Sequence, residues 1–434
     1  MRRYTFVSVA LCAFFVSLPV RSQSVSGRLT TSFYAYQQYD SLERKSYHLR
    51  GYQLAEFTVG EGNISFTTYL QGSTDLAGGI EGEPRLRAYN LYLDVKRIAD
   101  VADVRLGRQI VFAGVSRGPL DGLSLKLTPY HDVTVQAYGG MITPTDGSLK
   151  LMKLKDNYLY GTQVTTGLIP STRLSLSYMN LHRLPDPYLA VRVDTTAPGG
   201  FRQFEFQGVS DAEQLIGADA SVTFGQGTFF YGRFEYDINN AKPLWGQFSA
   251  TVQVAGKLSL LGNVTYRQQR LPYNSIFSVF DQRSNLEVSA GAGYNFTPAT
   301  QAFLRFGTVL YGSGEKASSR VTAGASALFG SISYTKDFGY AGEMDLISAQ
   351  GLYPVIERLV LVTGGVSWGQ YTLDPDASGA QKETVLTALG GIRYQPLPAL
   401  SFDVQGQVLS NHVYLSDARI FIRASYWFFS KLGS

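Results

Sequence analysis

The residues able to do covalent chemistry are few and scattered. Four histidines occur, His48, His131, His182 and His412, each in or beside a stretch that reads as a turn or loop. None has a nearby serine in a nucleophile-elbow setting, and none forms the His-x-x-x-His pair that suits zinc. His131 falls in a short turn at the end of the molecule opposite the other three, so it shares no rim with them. The only cysteine, Cys12, lies in a leader segment, which removes thiol nucleophiles, zinc ribbons and iron–sulfur ligation from the mature chain. Gly291-Ala292-Gly293 sits within strand-like sequence and precedes no helix, so it is not a phosphate cradle. The expectation is a protein that is not an enzyme and holds no metal or cofactor.

Charged side chains offer recognition in place of catalysis. Glu56, Asp219, Arg233, Glu235, Arg267, Glu287, Arg305, Arg320, Asp403 and Arg423 fall on strand positions whose same-parity neighbours are Ser, Thr, Gln and Asn. If the register slipped by one residue each would face lipid, at about 2 to 4 kcal/mol for an Arg or Lys near the bilayer midplane, so their parity is well determined. They are read as lining a watery lumen that selects solutes by size and field. Anions would be favoured near Arg233, Arg267, Arg305, Arg320 and Arg423 wherever no acid lies at the same depth.

A further pattern is Arg105-Leu106-Gly107-Arg108-Gln109, then Gly114, then Asp121-Gly122. It resembles the Gly-Arg-Gln strand end with a downstream Asp-Gly loop of porin-like outer-membrane barrels, including alginate-export-like proteins. The likeness covers only this stretch and implies a porin-like barrel without naming a cargo. Arg105 and Arg108 join the pore-lining candidates, since a guanidinium projecting into a lumen can meet anionic groups bidentately. Their parity is opposite, so either one points outward at an interface or a bulge lies between them. The alternative is that Arg108 and Asp121 pin the loop between their strands.

Positioning such residues requires strands. Ile216, Ala218, Ala220, Val222 and Phe224 alternate with Gly217, Asp219, Ser221 and Thr223, and the same period recurs near residues 247–254, 285–294 and 401–408. These segments run about 10 to 14 residues, long for soluble strands and suited to tilted strands crossing a bilayer. Short connections (61–63, 128–132, 169–172, 225–227, 256–257, 298–299, 396–398) alternate with longer polar ones (40–46, 74–84, 144–157, 271–283, 374–382). That asymmetry fits short periplasmic turns and long outer loops. Counting through the turns gives an all-β, antiparallel up-and-down transmembrane barrel of roughly 22 strands (18 to 22), with both termini periplasmic. Residues 183–212, the longest connection, carry Pro185, Pro187 and Pro198 and are the candidate to fold inward as a constriction.

Composition and chain ends agree with this class. Of 434 residues 44% are hydrophobic, with 28 Tyr and 26 Phe, yet no stretch after the leader nears the roughly 20 apolar residues of a membrane helix. The net charge of +4 is spread over 38 basic and 34 acidic residues, which argues against a nucleic-acid partner. Arg2 and Arg3, an apolar run over 4–16 and Pro19 read as a signal peptide spanning 1–22, cleaved before Gln23 to leave a barrel domain over 23–434. At the other end Ile420, Ile422, Ala424, Tyr426 and Phe428 alternate with Arg419, Phe421, Arg423, Ser425 and Trp427. This resembles the C-terminal signal read by the barrel-assembly machinery, apart from the tail 430–434. The functional expectation is a porin-like channel of the bacterial cell outer membrane, in contact with its lipid, for small polar or anionic solutes. The alternative is a non-conducting scaffold, adhesin or envelope-biogenesis partner, favoured by Tyr273, Ile276, Phe277 and Phe280 in the loop 271–283.

Overall fold

A computed structural model describes residues 23–39, 45–78, 82–184, 187–193, 196, 199–208, 212–225, 227–269, 283–312, 314, 316–373, 381–412 and 416–432. The leader 1–22, with Cys12, and the apolar residues Tyr273, Ile276, Phe277 and Phe280 lie outside them. The first nine strands are β1 (Gln23–Tyr39), β2 (Lys45–Glu61), β3 (Ile64–Asp75), β4 (Arg85–Ile98), β5 (Ala102–Ala113), β6 (Ser116–Tyr130), β7 (Val133–Ile142), β8 (Asn157–Thr166) and β9 (Thr172–Arg183). A short pair follows, β10 (Tyr188–Val193) and β11 (Phe201–Phe206), then β12 (Glu213–Phe224), β13 (Thr228–Asp237), β14 (Lys242–Ala255), β15 (Leu258–Arg267), β16 (Asn285–Thr297) and β17 (Thr300–Tyr311). The series ends with β18 (Lys316–Ala327), β19 (Gly330–Gly339), β20 (Glu343–Ile356), β21 (Val360–Thr372), β22 (Glu383–Leu397), β23 (Leu400–Ser410) and β24 (Asp417–Leu432).

All of these except β10 and β11 form one 22-stranded sheet. Each strand pairs antiparallel with the next, β9 pairs directly with β12, and β1 pairs with β24 from Gln23↔Leu432 to Ala35↔Ile420. The sheet is therefore a closed barrel without an edge, the arrangement that satisfies every wall N–H and C=O where no water can. The end that holds Gln23 and Leu432 also carries the short turns, such as 62–63, 256–257 and 298–299. The long connections gather at the other end.

The two faces are chemically distinct. Leu29, Phe33, Ile216, Phe234, Phe248, Val288, Leu304, Val366 and Ile392 stand exposed on the outside, as do Ile420, Ile422 and Tyr426 of the last strand, with Phe428 partly so. Against water this much apolar exposure would be untenable; against lipid it is the ordinary outer wall of a membrane barrel. Aromatic contacts band both rims: Tyr294 with Phe296 (5.0 Å), Phe329 with Tyr353 (5.4 Å) and Tyr426 with Phe428 (6.3 Å) at the short-turn end, and Tyr158 with Tyr160 (5.7 Å) at the long-loop end. Such rings suit the headgroup layer, being apolar in body and polar at the edge.

Candidate functional site in the barrel lumen

The lumen is interrupted by a hairpin of the wall itself. Up to Leu91↔Arg108, β5 pairs with β4, and there the two part. Beyond that point the β5–β6 hairpin turns inward, and its tip reaches β9, β12 and β13. Val115 N–H donates to Ser177 Oγ (3.1 Å), that hydroxyl donates to the Gly217 carbonyl (3.3 Å), and Arg233 donates to the Gly114 carbonyl (3.1 Å). One hairpin face, Val111, Ala113, Val115 and Leu120, packs on Tyr138, Ile142, Leu159, Met179 and Leu215 of the wall, all at most 9% exposed. Each fully buried Val or Leu there is worth about 1.5 to 3 kcal/mol, so several together hold the hairpin down. Ile110 (40% exposed) and Phe112 (70%) lie on the opposite face and look into the remaining opening.

The Gly-Arg-Gln and Asp-Gly residues build that bend. Gly107 pairs with Gly122, and Gly122 with Gly140, making a row of glycines across three strands. A Cβ on Gly107 would strike the Leu91 carbonyl, and one on Gly122 the Gly139 carbonyl; Gly107 also has φ +124°, a region that L side chains rarely adopt. Arg108 sits opposite Asp121 and holds it with two parallel bonds, Nε to Oδ1 at 2.7 Å and Nη2 to Oδ2 at 2.8 Å. Its remaining N–H groups donate to the carbonyls of Ala88 (3.3 Å), Gly147 (3.3 Å), Ser148 (2.6 Å) and Lys150 (3.4 Å). Gln109, 1% exposed, donates to the carbonyls of Arg105 and Gly122 and accepts from Ser124. The segment 144–150 extends the ladder where β5 has left, with Ala88 N–H on the Gly147 carbonyl (2.9 Å). At 4% exposure Arg108 is thus enclosed and does not line the open lumen. Arg105, on the lumen face, meets Asp94 at 3.3 Å and stacks over Tyr92. The opposite parity of the two arginines is real, and the inserted 144–150 segment is what covers Arg108.

The other charged candidates share the lumen face, and most are paired. Arg233 contacts Glu235 (2.6 Å) and Asp219 (3.9 Å), Arg267 contacts Glu287 (3.1 Å), and Arg423 contacts Asp403 (3.1 Å). Arg320 contacts Asp337 at 2.6 Å, and Arg393, absent from the sequence-derived set, shares Asp403 with Arg423. Glu56 pairs with Arg28 (2.9 Å). Arg305 has only the Phe303 ring, at 5.2 Å, and no carboxylate among the described residues. Beside Arg28, Arg393 and Arg423 the wall dips into a recess of about 530 Å³, rimmed by Trp427, Phe421 and Tyr69. Its concavity follows from buried Thr30, Ser32, Ser401 and Ser425, small residues among bulky ones.

Two placements differ from the sequence-based reading. Among the described residues it is the β5–β6 hairpin that narrows the lumen, whereas the connection 183–212, expected to do so, forms its own two-stranded sheet of β10 and β11, with Leu189, Val191, Val193 and Phe201 exposed by 61% or more. Its length and prolines signal a loop of restricted shape but not its direction. The histidines are also less isolated than the sequence suggests. His48 on β2 lies between Ser46 Oγ, 3.2 Å from Nε2, and Asp75 Oδ2, 3.2 Å from Nδ1. His131, His182 and His412 show no such set among the described residues, and no cluster there could hold a metal ion.

No protein-family model matches the chain, and neither does any curated protein. Among solved structures it is similar to a mutant of the ferric enterobactin receptor of Pseudomonas aeruginosa, with a TM-score of 0.58 at 8% identity over 93% of this chain and 80% of that one. It also aligns with OpdQ of Pseudomonas aeruginosa (TM-score 0.42, 11% identity, 94% and 98% covered) and with the P pilus usher translocation pore (0.46, 9%, 93% and 99%). At these identities the likeness bears on fold alone, and the receptor carries it.

Proposed function

We propose that this chain is a channel of the bacterial outer membrane through which small polar solutes pass passively, its bore narrowed by the inturned β5–β6 hairpin. The observation that carries the reading is the hairpin's seat: among the described residues it covers the apolar wall from β7 to β12 and leaves the rest of the lumen face uncovered, lined by hydroxyls and paired charges. A wall of that kind supports passage of hydrated solutes. The outer apolar belt supports outer-membrane lipid as the surrounding solvent, and Ile420, Ile422, Tyr426 and Phe428 supply the lipid-facing pattern that the barrel-assembly machinery would read. Because Arg233, Arg267 and Arg320 each have an acid at contact distance, their field falls off quickly, and we propose only a weak anion preference, tipped by Arg305 and by the Arg393 and Arg423 pair that shares one acid.

Single-channel conductance of the purified barrel in planar bilayers tests this. Replacing residues 109–120 by a two-residue turn removes the hairpin and is expected to raise conductance well above that of the unmodified barrel. A folded barrel that conducts in neither form would defeat the channel and favour a scaffold or adhesin. The exposed apolar side chains of β10 and β11 are the observation on which that second reading rests.

A further inference from the structure

The geometry assigns a serine nucleophile to the long-loop mouth of the lumen: Ser46, activated by His48 and Asp75, takes the acyl group of small carboxylic esters. Ser46 and His48 are two apart on β2, so both lie on one face, and Asp75 comes from the neighbouring β3. Asp75 is held in place, its side chain 1% exposed and its Oδ1 accepting the Ala77 N–H at 3.1 Å. An ionised carboxylate only accepts, so the contact with His48 Nδ1 is N–H···O and fixes the tautomer. Nε2 of the neutral ring is then an acceptor alone, and the contact at 3.2 Å is Ser46 O–H···Nε2. The hydroxyl has one other acceptor in range, the Gln38 carbonyl, also at 3.2 Å. Nucleophile, base and orienting acid thus stand in the order that base-assisted acyl transfer requires, independent of fold.

The surroundings point to the substrate class. Tyr36 stacks on His48 with ring centroids 5.2 Å apart, and Tyr34 stacks on Tyr36 at 5.0 Å, a row of flat rings that starts at the base and runs along the wall from it. A short or aromatic acyl ester that enters the outer mouth fits such a surface; a long-chain lipid in the outer leaflet lies across the wall from it. In the reaction Ser46 Oγ adds to the ester carbonyl carbon as its proton passes to Nε2. The bond to the alkoxy oxygen breaks, and the alcohol leaves with that proton. Water then loses a proton to Nε2 and attacks the acyl-serine, releasing the carboxylic acid and returning the proton to Oγ. The assigned site includes no oxyanion donor, and one is worth about 10² to 10³ in rate. Acylation itself, not fast turnover, is the observable.

The test is covalent labelling of the folded, detergent-purified barrel with a reporter-bearing fluorophosphonate, with the labelled peptide found by mass spectrometry and folding checked by heat-modifiable gel mobility. Labelling at Ser46 is expected, with none there in Ser46→Ala and a rate about a hundredfold lower in folded His48→Gln. Asp75→Asn should fall between, and p-nitrophenyl acetate should compete with the probe. A folded wild-type barrel left unmodified at Ser46 would overturn the assignment, as would equal labelling rates in wild type and His48→Gln. Conductance is untouched by either result, so the channel stands or falls separately.

Discussion

The lumen face has two halves built on the same strand parity and with opposite chemistry. Across β7, β8, β9 and β12 it presents Tyr138, Ile142, Leu159, Met179 and Leu215, all buried beneath the β5–β6 hairpin. On β15 to β18 and around β23, β24 and β1 it presents Glu287, Arg305, Arg320, Asp403 and Arg28, which stay open. The difference shows that inward residues take the polarity of whatever covers them. Where a hairpin lies on the wall the face is a protein core, and where water does it is polar.

The sharpest way to break that contrast is to cut the clamp that seats the hairpin. Arg108→Ala leaves Asp121 buried without its partner, a loss of about 3 to 5 kcal/mol. The hairpin should detach, with larger and noisier single-channel currents and new protease cleavage within 109–120. If Arg108→Met with Asp121→Leu seats the hairpin as firmly as the wild type does, the pair serves orientation more than stability. Next is Leu120→Ala, which empties a site at 0% exposure and should cost about 2 to 5 kcal/mol. Conductance should shift in the same direction as with Arg108→Ala, whereas Leu304→Ala on the lipid face should leave it unchanged.

Smaller effects probe the open half. Arg305→Gln should move the reversal potential in a salt gradient toward cations, more so at low ionic strength, while stability changes by less than about 1 kcal/mol. An unmoved potential would remove Arg305 from the conduction path. The smallest effect concerns segment 144–150. Asp146 accepts the Ser148 N–H at 3.0 Å, and this bond holds its carboxyl below the ordinary 3.8. A lowered folded value means the contribution is complete above the ordinary range and is lost as pH falls through the folded one. Hydrogen-exchange protection factors at residues 147–150, corrected for the intrinsic pH dependence of the rate, should therefore be steady near neutral pH and fall only in acid below the carboxylate range; Asp146→Asn should flatten that dependence.

Much of the wall was legible because lipid punishes a wrong register. The alternation of 216–224 is the face pattern of β12, and the turns at 256–257 and 298–299 stand where composition puts them. The hairpin was not legible. Val111, Ala113 and Leu120 read as ordinary strand residues, and it takes the parting of β5 from β4 beyond Leu91↔Arg108 and the reach of the tip to β9 and β13 to show that the sheet bends there. Paired charges were half legible: Arg320 could be placed on the lumen face from its own strand, but that Asp337 neutralises it depends on the neighbour's register. Ser46, His48 and Asp75 were missed for the same reason, since 27 residues of sequence separate His48 from an acid that is one strand away in space.

The seam between β1 and β24 also has a kinetic consequence. Thr30 and Ser425, hydrogen-bonded at 3.2 Å, are 395 positions apart, so the wall's last ladder joins nearly the whole length of the chain. Every other wall pairing links consecutive strands, or β9 to β12, and can zip from local hairpins, whereas this one waits until both distant strands are in place. Until then the sheet is an open ribbon with two unsatisfied margins, each able to add a stray strand. Closure is then a single late event, and a cell making this protein must shield both margins until it occurs.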